Sequence, residues 1–348
     1  MSEKPVTIYD IAQLVNASAA TVSRVLSNSD YPVSSEMRDK IKNAAKQLNY
    51  TPNMLGRQLK KNDSMSIGVI IPSISNPFYA DVVLGIEEIA RNGGYQVLLC
   101  NSHQNPKLEA EYLQTLQEKQ VKGIILSSIS PKKGWLNAYL DKGVKMISID
   151  QRINNRQVYQ LGFDYQYGAY LACEYLIQSG HRRIAFLSAA LNRPSRLQLH
   201  QGYQDAMRKA GIVPLQEWVQ ISEDCENTAY SSTFEFNNGK ELTRKLLMAD
   251  ERPTAVLCCN DLTAAGVINE LKEQKVDVPG QLSVIGFDNI DLSQMLTPSL
   301  STVNLPKYQM GVLACRMLMD LMNGSAAAEK EIMLQPEFIP RDSVAKLE

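Results

Sequence analysis

Between residues 65 and 160, short apolar runs alternate with longer stretches in which apolar residues recur every three or four positions. The runs "SIGVIIP", "YQVLLCN", "VKGIILSS" and "VKMISID" are typical of buried strands. The stretches between them, such as "NPFYADVVLGIEEIARNGG", are typical of amphipathic helices that end at glycine. Strands that alternate with helices predict a parallel sheet covered by helices on both faces.

The same alternation starts again near residue 165 and continues to about residue 290, through "RRIAFLS", "TAVLCCN" and "LSVIGFD". Two consecutive units of similar size predict two doubly wound parallel-sheet lobes. The segment "STVNLPKYQMGVLACRMLMDLMNG" then predicts a strand and a helix that return to the first lobe. Because ligands of open α/β sheets bind beyond the carboxyl ends of the strands, the cleft between the lobes is the expected ligand site.

The first 50 residues follow a different pattern, with three short helices and no strand. In "IYDIAQLV" five apolar residues share one helical face: Ile8, Ile11, Ala12, Leu14 and Val15. "NAS" interrupts this pattern, Ser18 is a candidate N-cap for "AATVSRVLS", and "SSEMRDKIKNAAKQLNY" follows as the third helix. Short helices with a tight turn after the first are typical of an all-α helix-turn-helix module.

Positive charge is concentrated in this head. Residues 1–62 contain nine Lys or Arg and five Asp or Glu, a balance of +4, whereas the whole chain carries −1 and its remainder therefore −5. A basic head on a mildly acidic body predicts that only the head meets a polyanion.

In that case the second helix enters the major groove of DNA with four residues exposed: Ala19, Ala20, Ser23 and Arg24. Four further residues are candidate phosphate contacts: Thr7, Tyr9, Thr21 and Asn28. A small helical bundle that makes only protein contacts fits the same pattern, so the pattern alone leaves both interpretations open.

The chain lacks the local motifs of the common enzyme classes. It contains no G-x-x-x-x-G-K-[ST] phosphate loop, no G-x-G-x-x-G after the first strand, no G-x-S-x-G elbow and no H-E-x-x-H. The histidines, His103, His181 and His200, lie far apart, and the six cysteines show no metal-ligand spacing. We therefore expect no catalytic residue, no cofactor and no metal.

The composition, 44% hydrophobic and 21% charged, is ordinary for a soluble globular protein. No apolar run is long enough to span a bilayer, and no secretory leader precedes the first helix. These features predict a cytoplasmic protein with reduced cysteines and no membrane partner.

"VTIYDIAQLVNASAATVSRVLS" followed by "LNYTPNMLGRQL" resembles the DNA-binding head of the LacI/GalR family of bacterial transcription regulators. The resemblance continues through "IGVIIPSISNPFYADVVLGIEEIARNGGY", "SGHRRIAFLSA", "CNDLTAAGVI", "LSVIGFDN" and "PSLSTV", in the family's order, and covers essentially the whole chain. It implies a periplasmic-binding-protein-like core and a homodimeric repressor that binds a near-palindromic operator and responds to a small metabolite. A solute-binding protein of the same fold is the alternative.

The resemblance also sets the expected domain bounds. These are a helix-turn-helix head at 1–50, a hinge at 51–62 and a two-lobed core at 63–348. Within the core, lobe 1 is expected at about 63–163 and 291–323, and lobe 2 at about 164–290 and 324–348.

The hinge is expected to become a helix in the minor groove when the dimer binds its operator. The resemblance assigns DNA contacts to Asn53 and Arg57, and makes Leu59 an apolar wedge between central base pairs. Gly56 replaces the usual Ala and costs about 1 kcal/mol in a helix interior. We therefore expect this hinge to order less readily without DNA.

For the effector site, the resemblance implies polar and aromatic contacts from both lobes. The positions carried over are Asn76, Phe78, Asp150, Gln151, Asn260, Asp261 and Asp288. Carboxylates accept hydrogen bonds from sugar hydroxyls, and an aromatic face stacks on a sugar ring. From the residues alone, Asp261 is equally well explained as a helix N-cap and Phe78 as a core residue.

Two positions depart from the family pattern. Leu199 stands where many members have a ligand-binding Arg, and Leu305 replaces a residue that is commonly polar. Arg193 and Arg196 are the candidate substitutes for the missing Arg. The expected effector is then a sugar, a sugar acid or a sugar phosphate, and a protein partner is a further alternative.

Overall fold

The computed structural model describes residues 6–27, 31–50, 64–129, 134–223, 233–325 and 329–347. These residues form two compact units, which divide between Asp63 and Ser64. The predictions for Asn28 and for the hinge residues Asn53, Gly56, Arg57 and Leu59 fall outside the described residues.

The first unit is the three-helix head. Its helices are α1 (Ile8–Val15), α2 (Ala19–Leu26) and α3 (Ser35–Gln47). Ser18 accepts a hydrogen bond from the Thr21 amide at 3.1 Å and so caps α2, as expected. Asn16, in the left-handed conformation at φ 51°, ends α1 and makes the tight turn.

A small apolar core holds the head together. Ile11, Val22, Val25 and Ile41 are almost fully buried, one or two from each helix. Leu14, predicted to face inward, is 53% exposed. The three helices therefore close on a narrower apolar stripe than the periodicity of α1 predicted.

The second unit begins with a six-stranded parallel sheet. Its strands are β1 (Ser66–Ile71), β2 (Gln96–Asn101), β3 (Gly123–Leu126), β4 (Lys145–Ile149), β5 (Tyr159–Phe163) and β11 (Glu331–Leu334), in the order β11-β5-β4-β3-β1-β2. The helices in this part are α4 (Pro77–Asn92), α5 (Pro106–Glu118), the short α6 (Asn137–Leu140) and α12 (Lys307–Met322). All six residues of β1 are buried, as its unbroken apolar run predicts.

A four-stranded parallel sheet forms the second lobe. It contains β6 (Ile184–Ser188), β7 (Val219–Ile221), β8 (Ala255–Cys258) and β9 (Ser283–Ile285), in the order β7-β6-β8-β9. Its helices are α7 (Tyr165–Gln178), α8 (Pro194–Lys209), α9 (Phe234–Leu246), α10 (Asp261–Glu273) and the short α11 (Leu292–Met295). A two-stranded antiparallel pair, β10 (Thr302–Asn304) with β12 (Glu337–Ile339), completes the strands of the described residues.

Two predicted lobe assignments are wrong. Residues 291–323 were all expected in lobe 1, but α11 contacts α10 of lobe 2, and Leu300 is buried in the core of lobe 2. The sequence interpretation placed residues 324–348 in lobe 2, but β11 pairs in parallel with β5 of the first sheet, from Glu331 opposite Gln160 to Leu334 opposite Phe163. Without β11, β5 would be an edge strand of the sheet with free backbone hydrogen-bonding groups, and β11 covers these groups. The last residues do return to lobe 2, where the Leu347 amide donates to the Ser179 carbonyl.

The helix that returns to the first lobe packs tightly against α4. Gly311 of α12 faces the backbone of α4 so closely that a Cβ atom there would overlap the Val82 carbonyl oxygen and lie 3.0 Å from the Ile86 amide nitrogen. Gly85 of α4 faces the backbone of α12 in the same way. Glycine at both positions lets the helix axes approach and fixes α12 on lobe 1.

We expect Gly311→Ala to destabilise the core by about 1–3 kcal/mol, because the added methyl group must push the two helices apart. Urea unfolding of the full chain measures the effect. Gly134→Ala is the matched control, since apart from its chain neighbours no atom of the described residues lies within 4 Å of the position of its Cβ. Equal unfolding midpoints for the two variants would contradict this packing.

Candidate functional site

The reading surface predicted for the head lies on α2. Arg24 and Ala20 are exposed, and Ala19, Thr21 and Ser23 are half-buried. The Thr21 hydroxyl lies 2.8 Å from the Ser18 hydroxyl, so the cap already uses it. Of these side chains only Arg24 is both long and hydrogen-bonding, so base-edge hydrogen bonding from α2 depends mainly on it.

The two candidate phosphate contacts on the first helix differ in their surroundings. Tyr9 is 70% exposed. The Thr7 hydroxyl and amide both donate to Asp10 at 2.7 Å, which makes Thr7 the N-cap of α1. The DNA contacts of both residues stay predictions.

An aromatic residue that the sequence interpretation missed lies against the reading helix. The Arg24 guanidinium carbon lies 4.0 Å from the centroid of the Tyr31 ring, the distance of a cation–π contact. Tyr31 lies seven positions after Arg24 and beyond the end of α2, so the helical periodicity of α2 does not predict this pair.

Asp150 is the polar centre of the junction between the lobes. It follows β4 in the left-handed conformation at φ 63°. Its carboxylate accepts hydrogen bonds from the Tyr79 hydroxyl and from the Gln151 amide, both at 2.8 Å, and from the Tyr165 hydroxyl. Burial, followed by the charge of Asp150, raises the pKa of Tyr79 and of Tyr165 well above the ordinary value, so both phenols remain donors.

The contacts around Asp150 join the two lobes. Tyr165 begins α7 of lobe 2, whereas Asp150 belongs to lobe 1. The Gln151 amide also donates to the Ser195 hydroxyl of α8 at 3.0 Å, and Arg193 donates to Gln104, which follows β2. Three side-chain hydrogen bonds therefore cross the junction here.

Two acceptors at this junction lack a donor. The Gln151 side-chain oxygen is buried and has no hydrogen-bond partner among the described residues. The Asp288 side chain is half-buried, and within the described residues no hydrogen bond to its carboxylate is found. Burial, and then the charge of Asp261, raises the pKa of Asp288 well above the ordinary range, which is the behaviour of an acid that lacks donors.

Asp261, one of the predicted effector residues, is buried and hydrogen-bonded to other segments of the protein. Its side chain is 1% exposed, and its two oxygens accept from the Thr302 hydroxyl at 2.6 Å and the Ile290 amide at 2.8 Å. These bonds tie the start of α10 to the crossover segments. Burial raises the pKa of Asp261 to about 7, against the lowering effect of both hydrogen bonds.

Further buried charges hold the crossover in place. Lys307 is 5% exposed, and its ammonium group donates to the carbonyls of Asp288 at 2.6 Å and Asn289 at 3.0 Å. Arg341 donates to the Asn289 side chain and to the Leu300 carbonyl, both at 2.7 Å. The sequence interpretation missed both cations, because their partners lie far along the chain.

The two candidate arginines are already engaged. Arg196 is 8% exposed and donates to Glu235 at 2.8 Å and to the Ala190 carbonyl at 3.2 Å. Glu235, which was not predicted, also accepts from the Thr263 hydroxyl at 3.3 Å. Arg193 is half-buried and bonds Gln104, and its pKa is lowered by burial and by the positive charge of Arg196.

The remaining predicted residues act first as caps and packing groups. Asn76 caps α4 by accepting from the Phe78 amide at 3.0 Å, and Asn260 caps α10 by accepting from the Thr263 amide at 2.8 Å. Phe78 is 4% exposed and meets the Tyr79 and Phe163 rings edge-on, at 4.9 and 6.0 Å between centroids. Their effector contacts stay predictions.

Leu199 and Leu305, at the two positions that depart from the family pattern, are buried in the main core. Among the described residues no group of three or more His, Cys, Asp or Glu side chains could hold a metal ion. No helix in the described ranges is long and apolar enough to cross a membrane.

A helix-turn-helix head followed by a two-lobed α/β core with open acceptors at the lobe junction defines a ligand-responsive DNA-binding regulator. Residues 7–53 match the family model for bacterial regulatory proteins of the lacI family, and residues 173–344 match the periplasmic binding protein-like domain. The chain belongs to the LacI family and is a DNA-binding transcriptional regulator that senses a small-molecule effector. The predicted family and fold class are confirmed.

Relatives cover the chain from end to end. The HTH-type transcriptional repressor PurR of Histophilus somni is 32% identical over 344 residues, which is 98% of this chain and 99% of the relative. The ribose operon repressor of Escherichia coli is 33% identical over 97% of this chain and 99% of its own length. A solved lac repressor dimer, bound to operator and the anti-inducer ONPF, has a TM-score of 0.84 at 25% identity and covers 98% of this chain and 100% of that one.

Asp261→Asn tests the raised pKa through the pH dependence of stability. The carboxyl titrates near 3.8 when unfolded and near 7 when folded, so between these values the folded state holds more protons. Wild-type stability should therefore fall as pH rises towards 7, by at most about 1.4 kcal/mol per pH unit from this group. Asn lacks this titration but retains an acceptor for the Ile290 amide.

Urea unfolding of both proteins at pH 5, 6, 7 and 8 measures the difference. The stability of the variant relative to wild type is expected to increase from pH 5 to pH 7 and to level off by pH 8. A difference that does not change with pH would show that Asp261 titrates normally.

Proposed function

We propose that this regulator is a repressor that binds a palindromic operator as a homodimer and is controlled by an uncharged, hydroxyl-rich ligand, most simply a neutral sugar. The observation that carries the ligand class is the excess of acceptors at the lobe junction. Asp150 accepts three hydrogen bonds, whereas the Asp288 carboxyl group and the Gln151 side-chain oxygen lack a donor among the described residues. Several convergent hydroxyl groups would supply those donors.

The cations of the junction argue against an anionic ligand. Arg196 is neutralised by Glu235 at 2.8 Å, and Arg193 is bonded to Gln104. Asp150 has no ion-pair partner among the described residues, so a carboxylate or phosphate beside it would be bound against like charge. Of a sugar, a sugar acid and a sugar phosphate, this arrangement favours the neutral sugar.

Aromatic rings beside the acceptors favour a ring-shaped ligand. Tyr165 stacks on Phe287 with 5.8 Å between ring centroids. Phe163 meets the Tyr165 ring edge-on and also contacts Phe78. Such rings pack on the apolar face of a sugar while carboxylates take its hydroxyls. Similarity to a ribose operon repressor supports the same class.

Exposed apolar residues on lobe 1 support the homodimer. Leu84 on α4 is 60% exposed, Ile74 just before α4 is 54% exposed, and Leu99 on the edge strand β2 is 37% exposed. Large apolar side chains concentrated on one helix and the strand beside it are typical of a subunit interface. Similarity to the lac repressor dimer supports this assignment.

A thermal-shift screen of the full chain tests the ligand class. A neutral sugar at 100 times its dissociation constant should stabilise the protein by about 2.7 kcal/mol. The corresponding sugar acids and sugar phosphates, at the same concentrations, should stabilise it less. Stabilisation by the acids or phosphates alone would contradict the proposal.

Operator binding tests the dimer. Leu84→Asp should give a monomer that binds a selected palindromic operator much more weakly than wild type, because each head then binds a half-site alone. Val213→Asp, at an 86% exposed apolar residue of lobe 2, is the matched control and should behave as wild type. Sedimentation velocity and fluorescence anisotropy report the two properties, and a dimeric Leu84→Asp variant with full operator affinity would refute this interface.

A further inference from the structure

We infer that Tyr31 is a positioning residue for DNA recognition, because its ring holds the Arg24 guanidinium in the orientation that reads a base edge. This inference rests on the proposed DNA-reading role of α2. The observation is the stacking distance of 4.0 Å between the Arg24 guanidinium carbon and the Tyr31 ring centroid.

The geometry of stacking leaves the arginine free for DNA. A ring covers one face of the planar guanidinium, while the N–H donors lie in its plane and remain available. A carboxylate partner would instead occupy those donors and cancel the charge. The segment 19–26 contains no acidic residue, and among the described residues no ion pair involves Arg24.

The main chain that carries Tyr31 is tied to the third helix of the head. Pro32 follows it and disfavours the helical conformation for Tyr31. Val33 packs against the apolar core of the head, and Ser34 caps α3 by accepting from the Met37 amide at 3.3 Å. The main chain next to Tyr31 is therefore anchored to α3, and the ring, which is 47% exposed, contacts Arg24 from this position.

Positioning Arg24 before DNA is bound matters because its neighbours on α2 have short side chains. An exposed arginine loses side-chain entropy when one conformation is selected. Ala19 and Ala20 offer only methyl groups to the bases, so specificity is concentrated in the one long side chain. A stacked ring that selects the arginine conformation before binding removes part of that cost.

The test is a double-mutant cycle in the full chain, on an operator selected in vitro with wild type. Tyr31→Leu should weaken operator binding by about two- to fivefold, the range of an exposed cation–π contact, and leave random-duplex affinity nearly unchanged. Tyr31→Phe and Tyr31→Trp retain a ring and should bind like wild type. In an Arg24→Ala background, Tyr31→Leu should have no further effect.

Each departure from these results has one meaning. An equal loss from Tyr31→Leu with and without Arg24 would overturn the inference, since the ring would then act independently of Arg24. A Tyr31→Phe variant as weak as Tyr31→Leu would also overturn it, because the hydroxyl would be the active group. If Arg24→Ala alone left operator affinity unchanged, the proposed reading role of α2 would fail instead.

Discussion

The core depends on one requirement, which is that a carboxylate at the junction of two lobes must be hydrogen-bonded. Asp150 meets it with three donors, and because one of these, Tyr165, belongs to the other lobe, its hydrogen bond both satisfies the charge and joins the lobes. Hydrogen bonds to a charged group contribute about 1.5–3 kcal/mol each. Other donors of similar strength can therefore replace the protein donors at this carboxylate. Ligand hydroxyls that displace protein donors would change which lobe arrangement is favoured.

The neighbouring groups hold the segments that cross between the two lobes. Asp261, Lys307 and Arg341 hold the crossover segments by bonds to backbone and side-chain groups, and Gly311 fixes the returning helix on lobe 1. The crossover is therefore held by hydrogen bonds and close helix packing, while the junction around Asp150 contains two acceptors without a donor among the described residues, in Gln151 and Asp288. A ligand shifts the balance between two arrangements only by its differential affinity for them, and these acceptors are where that difference can arise.

Much of this architecture could be predicted from the sequence because it rests on local patterns. Apolar runs such as β1 predicted buried parallel strands, and the interrupted periodicity after Val15 predicted the helix-turn-helix. The pairing of β11 with β5, the Arg196–Glu235 ion pair and the stacking of Arg24 on Tyr31 join residues that are distant or differently patterned, and no periodicity reports them. Asp261 shows a different limit of sequence-based prediction. An aspartate at the start of a helix can equally well contact a ligand or form buried hydrogen bonds within the protein, and the sequence does not distinguish the two.

The most direct test of the account is the affinity of Asp150→Asn for the neutral sugar that binds the wild-type chain most tightly, measured by titration calorimetry. Asn still accepts one hydrogen bond and can donate to a phenol, so the lobes keep their contact while the charge is lost. If Asp150 accepts hydrogen bonds from the ligand, the affinity of the variant should be about 10- to 150-fold lower, the equivalent of one hydrogen bond to a charged group. An unchanged affinity would show that Asp150 does not accept from the ligand and would contradict the account.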